Sequence, residues 1–222
     1  MKKYLMIFIS AIVSGFLICI GATVYLSMLA GGHGDHLAKI CGALFFTLGL
    51  FAIIHFNTWL YTGKVGYLLD KDYKYFLDLL VCVFGNIMGA IGLAALIGTT
   101  RIGTALNEQA LTLVEQKQAD SWYSILILAI MCGVMIYISV KGHQVVEYPI
   151  GKVVICFLAI AIFILCGFEH VVANAAYYTY AKVANWKAVG YFLLMALGNG
   201  IGAVAFDGLL KLIHILSENQ KQ

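Results

Sequence analysis

The sequence predicts an all-α integral membrane protein of six transmembrane helices, built as two three-helix halves whose second and fifth helices are broken. Three observations predict it. Of 222 residues, 62% are hydrophobic and 11% charged, at a mean hydropathy of +0.92. A soluble domain carries about 25% charged residues, so this surface suits lipid. Apolar runs near the bilayer-crossing length of about 20 residues recur along the chain. The pattern Gly-Asn-x-x-Gly-Ala occurs twice, at Gly85–Ala90 and Gly198–Ala203.

Tyr4–Ala30 carries no charge and is the first span. Lys2 and Lys3 precede it as in a secretory signal, but a signal's apolar core is about 7–15 residues and this run is far longer. Leu79–Thr100 and Ser121–Val140 are the third and fourth spans, and Ala188–Leu216, carrying Asp207 and Lys211, is the sixth. Ile40–Phe56 and Val153–Phe168 are short. Each is followed by polar residues and a second apolar piece, so these are the broken second and fifth spans. The runs are continuous, whereas the strands of a membrane barrel alternate. One transmembrane domain covers 1–222, its halves about 1–100 and about 115–222. With six spans and both termini inside, nine cationic residues fall inside (Lys2, Lys3, Lys64, Lys71, Lys74, Lys141, Lys152, Lys211, Lys221). Five fall outside (Lys39, Arg101, Lys117, Lys182, Lys187), which favours that orientation. The chain is expected in a cytoplasmic (inner) membrane, with the bilayer as partner. No basic stretch interleaved with aromatics suggests nucleic acid. The six cysteines lie in apolar runs without metal or disulfide spacing and read as packing residues. No cofactor or metal is expected.

The repeat carries the functional reading. The second motif follows the first by 113 positions (86 to 199), and Asn57 and His170 each precede their motif asparagine by 29 (57 to 86, 170 to 199). Halves of three spans enter the membrane from opposite sides. Broken helices at corresponding places in such inverted repeats mark a transport site. Small residues four apart also serve helix packing, but packing does not explain the matched polar breaks. In the second break, His170 is an ionisable group at membrane depth, a functional candidate by default. Glu169 pairs with a cation or holds local structure. In the first break, Thr62 offers a hydroxyl to an anion, Leu60 and Tyr61 close a pore, and Gly63 permits unusual backbone angles. Lys117 lies in the outer loop before the fourth span, and Asp207 and Lys211, four apart, form an ion pair or reach the inner surface. His33, His36, His143 and His214 are loop or span-end residues. A membrane haem protein using His55 and His170 is a rival without a duplicated histidine pair to support it.

Phe46-Thr-Leu-Gly-Leu50, Leu60-Tyr-Thr62-Gly63, Phe84-Gly-Asn-Ile-Met-Gly89, Gly198-Asn-Gly-Ile-Gly202 and above all Gly167-Phe-Glu-His-Val-Val-Ala-Asn174 resemble motifs of the formate/nitrite transporter family. The resemblance runs from the first span to the end of the sixth. It implies an aquaporin-like fold, a pore in each protomer, a homopentamer and no enzymatic activity. By it, His170, Thr62, Asn174 and Glu169 line a central chamber, Phe46, Leu50, Leu60 and Phe163 form the constrictions, and Lys117 attracts anions. Tyr61 replaces the usual phenylalanine. Gly133 stands where many members have an asparagine on the anion path, and the N-terminal cytoplasmic helix of longer formate channels has no counterpart before Tyr4. The implied function is passive, pH-dependent transport of a small monovalent anion (formate, nitrite or hydrosulfide type), with protons as partners and protonation via the central histidine. A channel for a neutral solute or gas is the alternative.

Overall fold

The computed structural model describes residues 1–32 and 35–220; His33, read above as a loop or span-end residue, and Lys221, assigned to an inner segment, lie outside the described residues. These fold into nine α-helices and one 3-10 helix, with no strand among the described residues. The elements are α1 (Lys2–Gly31), α2 (His36–His55), α3 (Tyr61–Lys64), the 3-10 helix (Val65–Asp70), α4 (Lys74–Gly98), α5 (Gly103–Ala119), α6 (Trp122–Val145), α7 (Pro149–Leu165), α8 (Val171–Tyr180) and α9 (Trp186–Asn219). Five of them, α1, α2, α4, α6 and α9, are long and apolar enough to cross a membrane, and α7 is a shorter apolar helix. Large apolar side chains such as Phe45, Leu48, Phe84 and Leu193 are exposed, while Ser14, Thr47, Asn86, Ser139, Glu169, His170 and Asn199 are buried. Polar groups inside and apolar groups outside is the arrangement lipid selects.

Two close crossings organise the bundle. Along α1 and α4, a Cβ on Gly15 would lie 2.2 Å from the Asn86 carbonyl oxygen, and one on Gly89 2.3 Å from that of Ile12. Along α6 and α9, a Cβ on Gly133 would lie 2.1 Å from the Asn199 carbonyl oxygen, and one on Gly202 1.9 Å from that of Ile130. The repeated Gly-Asn-x-x-Gly motif therefore brings backbones together. Gly133 belongs to this crossing, where no side chain fits.

Each crossing carries an asparagine that secures one broken helix. Asn86 Oδ1 accepts the Tyr61 N–H (2.8 Å), and its Nδ2 donates to the Ala11 and Trp59 carbonyls (2.8 Å each). Asn199 Oδ1 accepts the Val171 N–H (3.0 Å), and its Nδ2 donates to the Ala129 and Glu169 carbonyls (2.8 and 2.7 Å). Each amide joins the helix ahead of it in the chain to the segment just after a break. It satisfies backbone groups that would otherwise lie bare in an apolar interior.

The breaks also end alike. Thr58 N–H reaches the Ile53 carbonyl and Asn57 N–H that of Ile54; Phe168 N–H reaches Phe163 and Gly167 N–H reaches Ile164. The residue turning the chain is in the left-handed region both times, Asn57 at φ 51° and Gly167 at φ 68°. These are Schellman ends, and asparagine and glycine are the residues that tolerate that turn. The structure thus pairs Asn57 with Gly167 and Leu60 with His170. The equal spacing of 29 paired Asn57 with His170 and is out by three. Gly63 is an ordinary residue of α3, and the unusual backbone falls on Asn57 and Gly167.

The segment read as an outer loop before the fourth span is the helix α5, with Lys117 in its last turn. Leu106, Ala110 and Val114 are buried at four-residue spacing among polar neighbours, an amphipathic pattern that a search for continuous apolar runs passes over. At the opposite end of the bundle, Lys3 pairs with buried Asp78 (2.6 Å), and Lys211 bridges Asp207 (2.5 Å) and Asp70. The Asp207–Lys211 ion pair is as the spacing indicated. Replacing Asn199 with Leu strips three backbone partners at once. At roughly 1 kcal/mol for each lost bond, the expected loss is about 3 kcal/mol, read as a fall in the thermal midpoint of the detergent-purified protein. An unchanged midpoint would refute the clamp.

Candidate functional site

Where the two broken helices meet, an extended residue precedes each short helix: Leu60 (φ −110°, ψ 125°) before α3 and His170 (φ −100°, ψ 115°) before α8. His170 is buried and caps α8, its Nδ1 accepting the Ala173 N–H at 3.1 Å. Thr62 lies in α3, also buried, with Oγ1 2.9 Å from His170 Nε2. A backbone N–H only donates, so the cap assigns the lone pair to Nδ1. The neutral imidazole then carries its proton on Nε2. Nε2–H donates to Thr62 Oγ1, and the Thr62 hydroxyl proton is left to donate elsewhere. A proton added at Nδ1 would displace the cap.

Apolar side chains flank this pair. Phe46 and Phe163 meet edge to face, centroids 5.8 Å apart, and the Phe163 ring lies 5.9 Å from that of His170. Leu50 and Leu60 are buried and line a cavity of about 80 Å³ with Asn57, Lys64, Tyr67 and Gln144, on the α3 side. On the α5 side, a cavity of about 60 Å³ is lined by Tyr25, Lys117, Phe163, His170, Asn174 and Tyr177. Both spaces are large enough for water or a small anion.

Half-buried Lys117, on the wall of the α5-side cavity, forms an ion pair with buried Glu169. Lys117 Nζ donates to both Glu169 carboxylate oxygens at 2.6 Å. Asn174 Nδ2 donates to Glu169 Oε2 (2.8 Å) and to the His170 carbonyl (2.9 Å). The lysine is therefore neutralised by a partner and is not a free cation in a loop. The expectation that Glu169 pairs with a cation holds, and that cation is Lys117. Asn174 Oδ1 and the Tyr177 hydroxyl have no protein partner among the described residues. Both residues line the cavity, so these atoms are available to a ligand or water.

All nine site residues named from the sequence fall into one column: Lys117, Glu169 and Asn174 as a cluster, Phe163 and Phe46 in contact, His170 with Thr62, and Leu60 with Leu50. The sequence reading missed Tyr177 and, on the other side, Tyr67 and Gln144, which bond each other at 3.0 Å. Tyr177 follows Asn174 by three positions, so helical spacing places both on one face of α8; that was the available signal. His55 lies elsewhere, its ring against that of His143, so the haem pairing of His55 with His170 finds no support in the geometry.

Lys117→Met would leave the Glu169 carboxylate buried and uncompensated, at about 3–5 kcal/mol. The thermal midpoint of the detergent-purified protein should fall in that variant and recover in part in Lys117→Met/Glu169→Gln, where neither charge remains. Additive losses of stability in a double-mutant cycle would contradict the pairing.

The profile of the family described as Formate/nitrite transporter matches residues 1–213. The chain is 28% identical over 181 residues to the formate channel FocB of Escherichia coli, aligning 76% of this chain with 64% of that protein. It is 25% identical over 185 residues to the formate channel FocA of Haemophilus influenzae, with 78% of this chain and 65% of the relative aligned. The chain thus spans just under two thirds of the length of these relatives. Among solved structures, a pentameric formate channel with formate bound superposes at a TM-score of 0.81 and 23% identity, over 97% of this chain and 98% of that one. An ion channel of the same family superposes at 0.82 and 17% identity, over 95% and 90%.

Proposed function

Because the chain belongs to the formate/nitrite transporter family, we propose that it passes a small monovalent weak-acid anion, of the formate, nitrite or hydrosulfide type, passively across the cytoplasmic membrane, with protonation beside His170. The observation that carries this reading is the buried Thr62–His170 pair, its hydroxyl proton unclaimed, between Phe46 and Phe163 on one hand and Leu50 and Leu60 on the other. The parallel clamps of Asn86 and Asn199 support an aquaporin-like inverted repeat of six spans, two of them broken, in one domain over 1–222 with halves of about 1–100 and 115–222. Both termini are then cytoplasmic and the α5 side faces outward. The likeness to a pentameric channel supports a homopentamer. A channel has no need of a catalytic constellation, and the reading assigns none.

The mechanism follows from charge and water. A bare anion does not cross a constriction of buried phenylalanine and leucine cheaply, because it loses hydration. In the outer cavity it meets Lys117, whose charge Glu169 shares, and the free Tyr177 hydroxyl. Deeper in, it accepts the Thr62 hydroxyl proton in a hydrogen bond. Desolvation there raises the anion's own affinity for a proton, which arrives with water from the outer cavity. The neutral acid then passes Leu50 and Leu60. His170 works through Nε2–H, holding Thr62 so that its hydroxyl donates to the anion.

Proteoliposome flux of formate, nitrite and hydrosulfide across external pH tests this. Saturating uptake of one anion, rising as external pH falls, is the expected result. A hydrogen bond to a charged group contributes about 1.5–3 kcal/mol, so Thr62→Val should lose roughly tenfold to hundredfold in flux while Thr62→Ser keeps most of it. His170→Asn retains an N-capping side chain but lacks the reach of Nε2, and should lose flux while staying folded. Equal flux of all solutes, indifferent to pH and to these variants, would favour a neutral-solute or gas channel.

A further inference from the structure

The ends of α2 and α6 carry a second pair of histidines, remote in role from His170. His55 is exposed, and its Nδ1 lies 2.8 Å from the Phe51 carbonyl oxygen. A carbonyl only accepts, so Nδ1 bears the proton and the Nε2 lone pair of the neutral ring is free. This is how metal-ligating histidines are commonly oriented, one ring N–H on a backbone carbonyl. The half-buried His143 ring stands at 79° to that of His55, centroids 5.2 Å apart. A zinc–nitrogen bond of about 2.0–2.1 Å puts a ring centroid about 3.2 Å from the metal, and two rings at a tetrahedral angle then have centroids about 5.2 Å apart.

We propose that His55 and His143 form a two-histidine site for a borderline divalent metal such as Zn²⁺ or Ni²⁺, which bridges α2 to α6 and restrains the inner mouth of the pore. No group of three or more potential ligands exists among the described residues, so water completes the coordination and the metal exchanges. The same two chain ends wall the α3-side cavity: Ile53, Ile54 and Asn57 from the α2 end, and Val140 and Gln144 from α6. A bridge between them therefore acts on the passage. Lys152, at the start of α7, is within Coulombic reach of His143 and opposes the metal's charge. Phe51 packs on the His55 ring, centroids 4.1 Å apart, and is itself backed by Phe157.

The site is tested by Zn²⁺ competition against a chromophoric chelator, using purified full-length protein near neutral pH. Wild type should hold one more Zn²⁺ per protomer than His55→Gln or His143→Gln, each weakened about tenfold or more. Binding should fade at acid pH as the imidazoles protonate. Lys152→Gln should tighten it. His214→Gln, which alters the exposed His214–Glu218 pair on α9, should not change it. Equal binding by wild type and both His55→Gln and His143→Gln overturns the site. The effect on passage rests on the function proposed above. In proteoliposomes with Zn²⁺ on both faces, formate flux should slow, recover on chelation, and be insensitive in His55→Gln, whose basal flux is unchanged. Zn²⁺ bound through the pair with undiminished flux overturns the bridge. Absence of formate flux in wild type without metal counts against the transport reading, while chelator competition still reads the site.

Discussion

The Ala173 N–H bound to His170 Nδ1 is the contact on which the rest of the site depends. It occupies the lone pair on one ring nitrogen and so decides what the other can do. Nε2 becomes a donor, Thr62 Oγ1 an acceptor, and the Thr62 hydroxyl hydrogen is directed away from the imidazole. The bond exists because the chain breaks between α7 and α8 and leaves the first N–H groups of α8 without intrahelical partners. A structural need of the backbone thereby fixes the chemistry of the side chain.

The scaffold supplies that break twice, and each break carries different side chains. Asn86 and Asn199 make matching sets of bonds, and Asn57 and Gly167 make matching turns. At the equivalent extended positions, one break has Leu60 and the other His170. A buried leucine and a buried histidine are thus products of one geometry with different side chains. The Lys117–Glu169 pair is asymmetric in the same way: Trp59 occupies the position at the first break that Glu169 holds at the second.

The helices and breaks were legible because membrane spans announce themselves by length and apolar continuity, and because a duplicated motif is hard to obtain by chance. Thr62, His170, Phe46, Phe163, Leu50 and Leu60 were named by motif, and folding brings them near one another. Three features escaped. The pairing of the breaks was displaced by three residues, since equal spacing to Asn86 and Asn199 masks the longer path through α8. Helix α5 hides its apolar stripe of Leu106, Ala110 and Val114 among polar residues. Nothing near Gly133 in the sequence showed that its lack of a side chain serves the contact with Asn199. Pairings such as Lys117 with Glu169, 52 positions apart, depend on tertiary approach that no local pattern encodes.

The most direct test of the central claim is the tautomer of His170, read by nitrogen-15 NMR of ring-labelled protein in lipid bilayers, with His170→Asn to identify the signal. The expected spectrum is a neutral ring with the proton on Nε2 and an unprotonated, hydrogen-bonded Nδ1. A proton on Nδ1, whether in the other neutral tautomer or in an imidazolium, would contradict the cap and the role it gives to Thr62.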